Sequence, residues 1–312
     1  MNNIDIGFYE LVKKINLMSI DEIYSNIKNS FSKVHQDTRK SIESFFNKFN
    51  YWGKIDIENN NYDALYLKAS TLKEHIDDFV WLYKNLKDYK SKKLLYGILN
   101  NWYCYDFSTV KTCLDTPFKH YFDLDIIPYC KDEIVVDLGA YTGDSIIDYI
   151  DTYGKDSYEK IYCYDITDET FSKLKDNLSK YNNIIYNKKA VSNKIDNLYL
   201  DVNNISASAN KVSNKGDILL NTTTLDIDIK DKITMIKMDI EGSEENALLG
   251  SLNHIKNDSP KLLISVYHNN DHLWKIPKII NEINNNYNYY LRCYGNCIYP
   301  TETILFAIPK TK

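Results

Sequence analysis

The chain has 312 residues, of which 44% are apolar and 26% charged, with a net charge of −5. That length suits one large domain, or one domain with a smaller appendage, and the composition is that of a globular protein. The acidic balance, with no Lys/Arg run, argues against nucleic acid as a partner, since such binding needs a basic face. No stretch of about 18 apolar residues is present, so no membrane span is expected. Cys104, Cys113, Cys130, Cys163, Cys293 and Cys297 form no CxxC pair and have no His-rich segment beside them. A zinc site is not expected, and reduced thiols in a cytoplasmic protein fit the pattern. The first residues show no basic region followed by an apolar core, so no signal peptide is expected. The 27 tyrosines read as the composition of an AT-rich genome.

Up to about residue 118 the apolar residues recur at helical spacing. Ser19 to Glu22 reads as a capping box ahead of Ile23, Ile27, Phe31 and Val34. Thr71 to Glu74 repeats the signature ahead of Leu72, Ile76, Phe79, Val80, Tyr83 and Leu86. Leu94, Leu95, Ile98, Leu99 and Trp102 continue the periodicity. A helical region is therefore expected over residues 1–120, and a second domain over 121–312.

From Tyr121 onward, short runs of β-formers alternate with helical segments. Strands are expected at Glu133–Leu138, Lys160–Asp165, Asn183–Asn187, Thr234–Asp239, Lys261–Tyr267, Tyr289–Tyr294 and Thr303–Ile308. Helices are expected at Asp144–Thr152, Asp168–Lys180, Ser243–Lys256 and Leu273–Asn285. Alternation of this kind, with nearly continuous apolar strands, predicts an α/β fold with a parallel, Rossmann-like sheet. Only Gly295–Glu302 joins the last two strands, too short for a parallel crossover, so they should form an antiparallel hairpin near the sheet edge. Leu198–Leu225 fits the alternation poorly. One or two extra strands are expected there, with Ser206–Asn210 as a loop.

The first strand runs into Gly139-Ala140-Tyr141-Thr142-Gly143, and Asp144 opens a helix. Glycines at a strand-to-helix turn let a ligand approach the backbone. A dinucleotide site would have G-x-G-x-x-G, with pyrophosphate on the helix N-terminus. Here Tyr141 holds the middle glycine position, and Asp144 stands where the pyrophosphate would sit. A carboxylate there repels phosphate and suits a cationic ligand; the same holds for Asp137 at the strand end. Asp165 ends the second strand, roughly twenty positions on, where a ribose diol is gripped. The third strand leads to Ala190, where such folds place an adenine.

Two later strand ends carry reactive groups. Lys237, Asp239 and Glu241 alternate, so in an extended strand they share one side as a paired cluster. His268, after Ile264-Ser-Val-Tyr, stands at the ligand-bearing edge and is a candidate general base. For a substrate that reacts through a hydroxyl, either His268 or Asp239 takes its proton, or a divalent cation on Asp239, Glu241 or Glu244 acidifies it. Glu244 and Glu245 also suit the first turn of the next helix.

Val136–Asp144, Ile236–Glu244, Ser265–His268, Tyr290–Tyr294 and Glu302–Ala307, in this order, resemble the FkbM family of methyltransferases over about residues 121–309. The resemblance implies a class I fold, S-adenosylmethionine as methyl donor, and O-methylation of a sugar of an antibiotic, capsule, flagellar or other surface glycan. The sequence departs from the family at Asp165-Ile166, where Glu-Pro is common. Three rivals stand beside O-methylation: N-methylation of an amino group, a non-catalytic nucleotide-binding protein, and an NAD-dependent oxidoreductase. Tyr141 and Asp144 count against the last of these, and intact Asp239, Glu241 and His268 against the second.

Overall fold

The computed structural model describes residues 2–49, 51–115, 117–201, 211–213, 218–299 and 301–310. Two compact units make up the chain. One comprises Met1–Asp115, Val266–Pro277 and Tyr289–Leu305, and the other Thr116–Ser265, Lys278–Asn288 and Phe306–Lys312. The helical unit thus takes in two segments from late in the chain.

The first unit holds α1 (Asn3–Leu17), α2 (Ile20–Lys33), α3 (Gln36–Phe49), α4 (Asp63–Glu74), α5 (Ile76–Asn85), α6 (Tyr89–Cys104) and α7 (Ser108–Lys111). The Ser19/Glu22 capping box forms as expected, and Ile23, Ile27 and Phe31 are the buried face of α2. Each such side chain contributes roughly 1.5–3 kcal/mol on burial. The second expected box does not form. Thr71 lies in the last turn of α4, buried, and the next helix starts only after His75, which ends one helix and begins the other. Its hydroxyl donates to Asp271, so tertiary packing outweighs the local capping signal.

The later elements are β1 (Glu133–Leu138), α8 (Asp144–Tyr153), β2 (Tyr158–Tyr164), α9 (Asp168–Leu178), β3 (Ile184–Asn187), β4 (Ala190–Val191), β5 (Asn197–Asp201), β6 (Lys211–Ser213), β7 (Ile218–Thr223), α10 (Leu225–Asp228), β8 (Met235–Met238), α11 (Glu244–Leu249), α12 (Leu252–Asn257), β9 (Lys261–Ser265), α13 (His272–Ile283), β10 (Tyr287–Cys293) and β11 (Thr303–Pro309). A seven-stranded sheet runs in the order β10-β11-β9-β8-β1-β2-β3. From β9 to β3 every pair is parallel. The two C-terminal strands close as the short connection requires. Tyr294 N–H bonds the Glu302 carbonyl at one end of the pair, and Lys310 N–H bonds that of Asn286 at the other. Those partners run in opposite directions, so the pair is an antiparallel hairpin, and β10 is the sheet edge.

Two expectations needed correction. The single helix over Ser243–Lys256 is two, because the chain breaks at Gly250, where an added Cβ would sit 1.9 Å from the Ser192 carbonyl oxygen. Leu198–Leu225 carries more than one or two extra strands: β5, β6 and β7 join β4 in a second sheet of order β4-β7-β5-β6. The loop expected at Ser206–Asn210 lies outside the described residues. Among the described residues no helix is long and apolar enough to cross a membrane.

Candidate active site

All six residues of β1 are buried, as expected of a central parallel strand covered on both faces. It delivers the chain to the turn at Gly139. That residue has φ +80, and a Cβ there would lie 1.9 Å from the Asp239 carbonyl oxygen. Only glycine meets both conditions. Gly139 and Ala140 N–H both donate to the Tyr164 carbonyl, and Gly143 N–H donates to that of Ala140. Gly143, at φ +85, caps α8, and a Cβ on it would press into Leu178. Asn177 anchors the Thr142 carbonyl at 2.9 Å. Ala140 is buried, whereas Tyr141 and Asp144 are exposed. Asp144 occupies the first turn of α8, where negative charge is favoured.

Asp165 follows the end of β2 and is built into this turn. Its Oδ2 accepts from Tyr141 N–H at 2.9 Å, and its Oδ1 accepts from Thr167 N–H at 3.2 Å and from the Thr170 hydroxyl. Burial pushes its carboxyl above the ordinary range, partly offset by those donors. The next residue, Ile166, packs on buried Ala190 and Leu220.

Asp137 is 1% exposed. It accepts from the Ser145 hydroxyl, and its Oδ1 lies 2.9 Å from Lys237 Nζ. The two stand directly opposite in the β1–β8 register. Lys237 also donates to the Gly139 carbonyl at 2.8 Å. Burial works against the Lys237 charge, but the carboxylates of Asp137 and Asp239 outweigh it and raise the ammonium pKa. The expectation of a Lys237, Asp239 and Glu241 cluster on one side of an extended strand therefore needs correction. β8 stops at Met238 and Glu241 has φ +56, which ends the alternation. The ion-pair partner of Lys237 comes from the neighbouring strand. Asp137 likewise acts on the turn from inside rather than facing solvent.

Asp239 and Glu241 are half-buried. Asp239 Oδ2 accepts from the Tyr121 hydroxyl at 2.6 Å, and that hydroxyl lies 3.3 Å from Ser265 Oγ. The Tyr121 ring stacks on His120, with centroids 4.0 Å apart and planes at 4°. Burial pushes His120 down to about 4, with Asp239 acting against that shift and Lys237 with it. Glu244 is fully buried, and its carboxylate accepts from Ile240 N–H at 3.0 Å. His268 lies three residues beyond β9 in the first unit, buried, with its ring 4.2 Å from that of Tyr267 and 5.3 Å from that of Tyr51.

Tyr121, His120, Ser145 and Ser265 were missed from sequence. Ser145 carried a signal, a hydroxyl eight residues after a buried strand aspartate and in the first turn of the helix. Tyr121 carried none among so many tyrosines.

Residues 137–291 match the family model described as the methyltransferase FkbM domain. Among solved structures, the chain is similar to the methyltransferase FkbM from Methylobacillus flagellatus, with 24% identity and a TM-score of 0.65, covering 76% of this chain and 60% of that one. It thus spans 60% of that protein's length. Weaker likenesses are to an rRNA methylase from Streptococcus thermophilus (14% identity, TM-score 0.38, 59% of this chain and 90% of that one). Another is a precorrin-6y C5,15-methyltransferase from Geobacter metallireducens (13% identity, TM-score 0.38, 60% and 85%). No curated protein matches the sequence. The fold is that of the class I methyltransferases, and within it residues 137–291 match the methyltransferase FkbM domain.

Proposed function

We propose that the chain transfers a methyl group from S-adenosylmethionine to a sugar hydroxyl of a glycan or glycoconjugate, in surface or flagellar glycan biosynthesis. The turn at Gly139 carries the donor part of this proposal. Its backbone is packed against the Asp239 carbonyl oxygen and bonded through Tyr141 N–H to Asp165. The turn thus lies between two carboxylate-bearing residues that follow β2 and β8, which suits a cation better than a pyrophosphate. Gly139, Ala140, Tyr141, Thr142 and Gly143 form the floor, with Asp137 bracing it from within. Asp144 and Asp239 face the amino-acid end, Asp165 the ribose, and Ala190 with Ile166 and Leu220 an apolar bed for the adenine.

S-adenosylmethionine would supply an electrophilic methyl group on sulfur. The chain's part is to align the acceptor and take its proton. We assign that proton to His268, by its place after β9, or to Asp239, with Glu241 beside it and Lys237 holding the turn. A divalent cation on Asp239 and Glu241 is the alternative activator. Glu244, turned to Ile240 N–H, suits that role less. Methylation of an amino group is the second proposal, and it makes less demand on a base. A cytoplasmic location fits use of this donor.

In calorimetry the purified protein should bind S-adenosylmethionine or S-adenosylhomocysteine, and NAD much more weakly; the reverse order would sink the donor assignment. His268→Ala should keep that binding and slow turnover. Mass spectrometry of surface glycans with and without the protein tests the acceptor class, and unchanged glycan methylation would remove it.

A further inference from the structure

We propose that Tyr121 is a positioning residue for Asp239, holding that carboxylate beside the glycine turn. The inference rests on the proposal that Asp239 stands at the donor site. Tyr121 has φ +70. For a side chain of this size the left-handed region costs on the order of 1 kcal/mol, and such strain persists where the surroundings fix it for a purpose. What fixes it here is specific. The ring is 4% exposed and stacked on His120, with the Lys237 ammonium 5.3 Å from its centroid. Its hydroxyl donates to Asp239 Oδ2 at 2.6 Å, a length typical of a bond to a charged acceptor.

The backbone of Asp239 is already fixed from the β1 side. Its N–H donates to the Leu138 carbonyl at 3.0 Å, and its own carbonyl oxygen fills the space a Gly139 side chain would take. Those contacts act on the main chain of Asp239, and the Tyr121 hydroxyl acts on its side chain. Lys237 links the two halves, since the same ammonium pairs with Asp137, bonds the Gly139 carbonyl and lies over the Tyr121 ring. A phenylalanine would fill the same space, so packing alone gives no use for the hydroxyl. Its use is the direction it imposes on the carboxylate.

The test is a double-mutant cycle read by calorimetric titration with S-adenosylmethionine. Tyr121→Phe should keep the fold, checked by near-ultraviolet circular dichroism, and lose about tenfold in affinity, the scale of one hydrogen bond to a charged group. Asp239→Asn should lose more, and the double variant should be no weaker than Asp239→Asn alone. Parent-like affinity in Tyr121→Phe, or losses that multiply in the double variant, would overturn the proposal, because a packing role acts independently of the Asp239 charge. Should Tyr121→Phe fail to fold, 3-fluorotyrosine at position 121 gives a second readout. Its fluorine resonance should move on adding S-adenosylmethionine and not move in the Asp239→Asn background. A resonance that stays still in the parent overturns the proposal. Lack of binding by the parent chain would remove the donor assignment and this inference with it. Binding by the parent with an unaffected Tyr121→Phe would remove this inference alone.

Discussion

Two lysines are buried to the same degree, Lys68 in the helical unit and Lys237 in the sheet, at 3% and 5% exposure. Their electrostatics are opposite. Lys237 faces Asp137 across the β1–β8 register, and its ammonium is held above its ordinary pKa. Lys68 sits over the rings of Phe46 and Tyr105. Among the described residues it makes no ion pair, and burial lowers it to about 7. Aromatic faces attract a cation by about 0.5–2 kcal/mol, too little to replace lost hydration. A carboxylate on the neighbouring strand does replace it. A buried lysine is thus a fixed charge where the fold brings a carboxylate to it, and a titrating group where the fold brings only rings.

The comparison breaks most visibly if Lys237 is given the surroundings of Lys68. Asp137→Ala does this, leaving the ammonium buried without its main partner and Ser145 without its acceptor. Loss of one member of a buried pair costs about 3–5 kcal/mol, which denaturant unfolding should show. Asp137→Asn combined with Lys237→Met removes both charges and should regain most of that loss. A loss below about 1 kcal/mol in Asp137→Ala would mean that Lys237 stays solvated and is not the brace of the turn.

The same pair shows where sequence was legible and where it was not. The glycine turn could be read because its signal is local: an apolar strand, two glycines and a helix start within a dozen residues. The alternation of strands and helices could be read for the same reason. Lys237 was recognisable as a lysine in a buried strand, but its partner was sought by alternation along its own strand. The true partner lies a hundred positions earlier, on a strand that becomes a neighbour only through the sheet order. Tyr121 was beyond reach because its meaning comes from Asp239, 118 positions further along the chain. Thr71 erred the other way: a strong local signature was overruled by packing that only the fold supplies.

Lys68 can be tested through pH. Its folded-state pKa lies below its unfolded value of about 10.5, so between about pH 7 and 10.5 the unfolded chain binds a proton that the folded chain lacks. Parent stability should therefore gain a rising contribution across that window and lack it below. Lys68→Met removes the group, should be more stable at pH 6 by on the order of a few kcal/mol, and should lose the rise. Unfolding curves at pH 6 and pH 9 decide it. If parent and variant differ equally at both, Lys68 keeps its charge in the fold and the contrast with Lys237 fails.

The smallest effect concerns the ring beneath Lys68. Tyr105 ends α6 with φ +54, and among the described residues its buried hydroxyl has no hydrogen-bond partner. Burial raises its pKa, so at neutral pH it is an uncharged phenol. An unsatisfied buried hydroxyl costs about 1–3 kcal/mol. Tyr105→Phe keeps the ring 4.9 Å from the ammonium and the same backbone strain, and removes only that cost. It should be neutral or stabilising by up to about 1 kcal/mol in thermal unfolding. Tyr105→Leu removes the ring face as well and should be destabilising, and less so in a Lys68→Met background, where there is no cation to lose. If Tyr105→Phe destabilised as much as Tyr105→Leu, the hydroxyl rather than the ring would be what Lys68 requires. The helical lysine would then resemble Lys237 in having a polar partner.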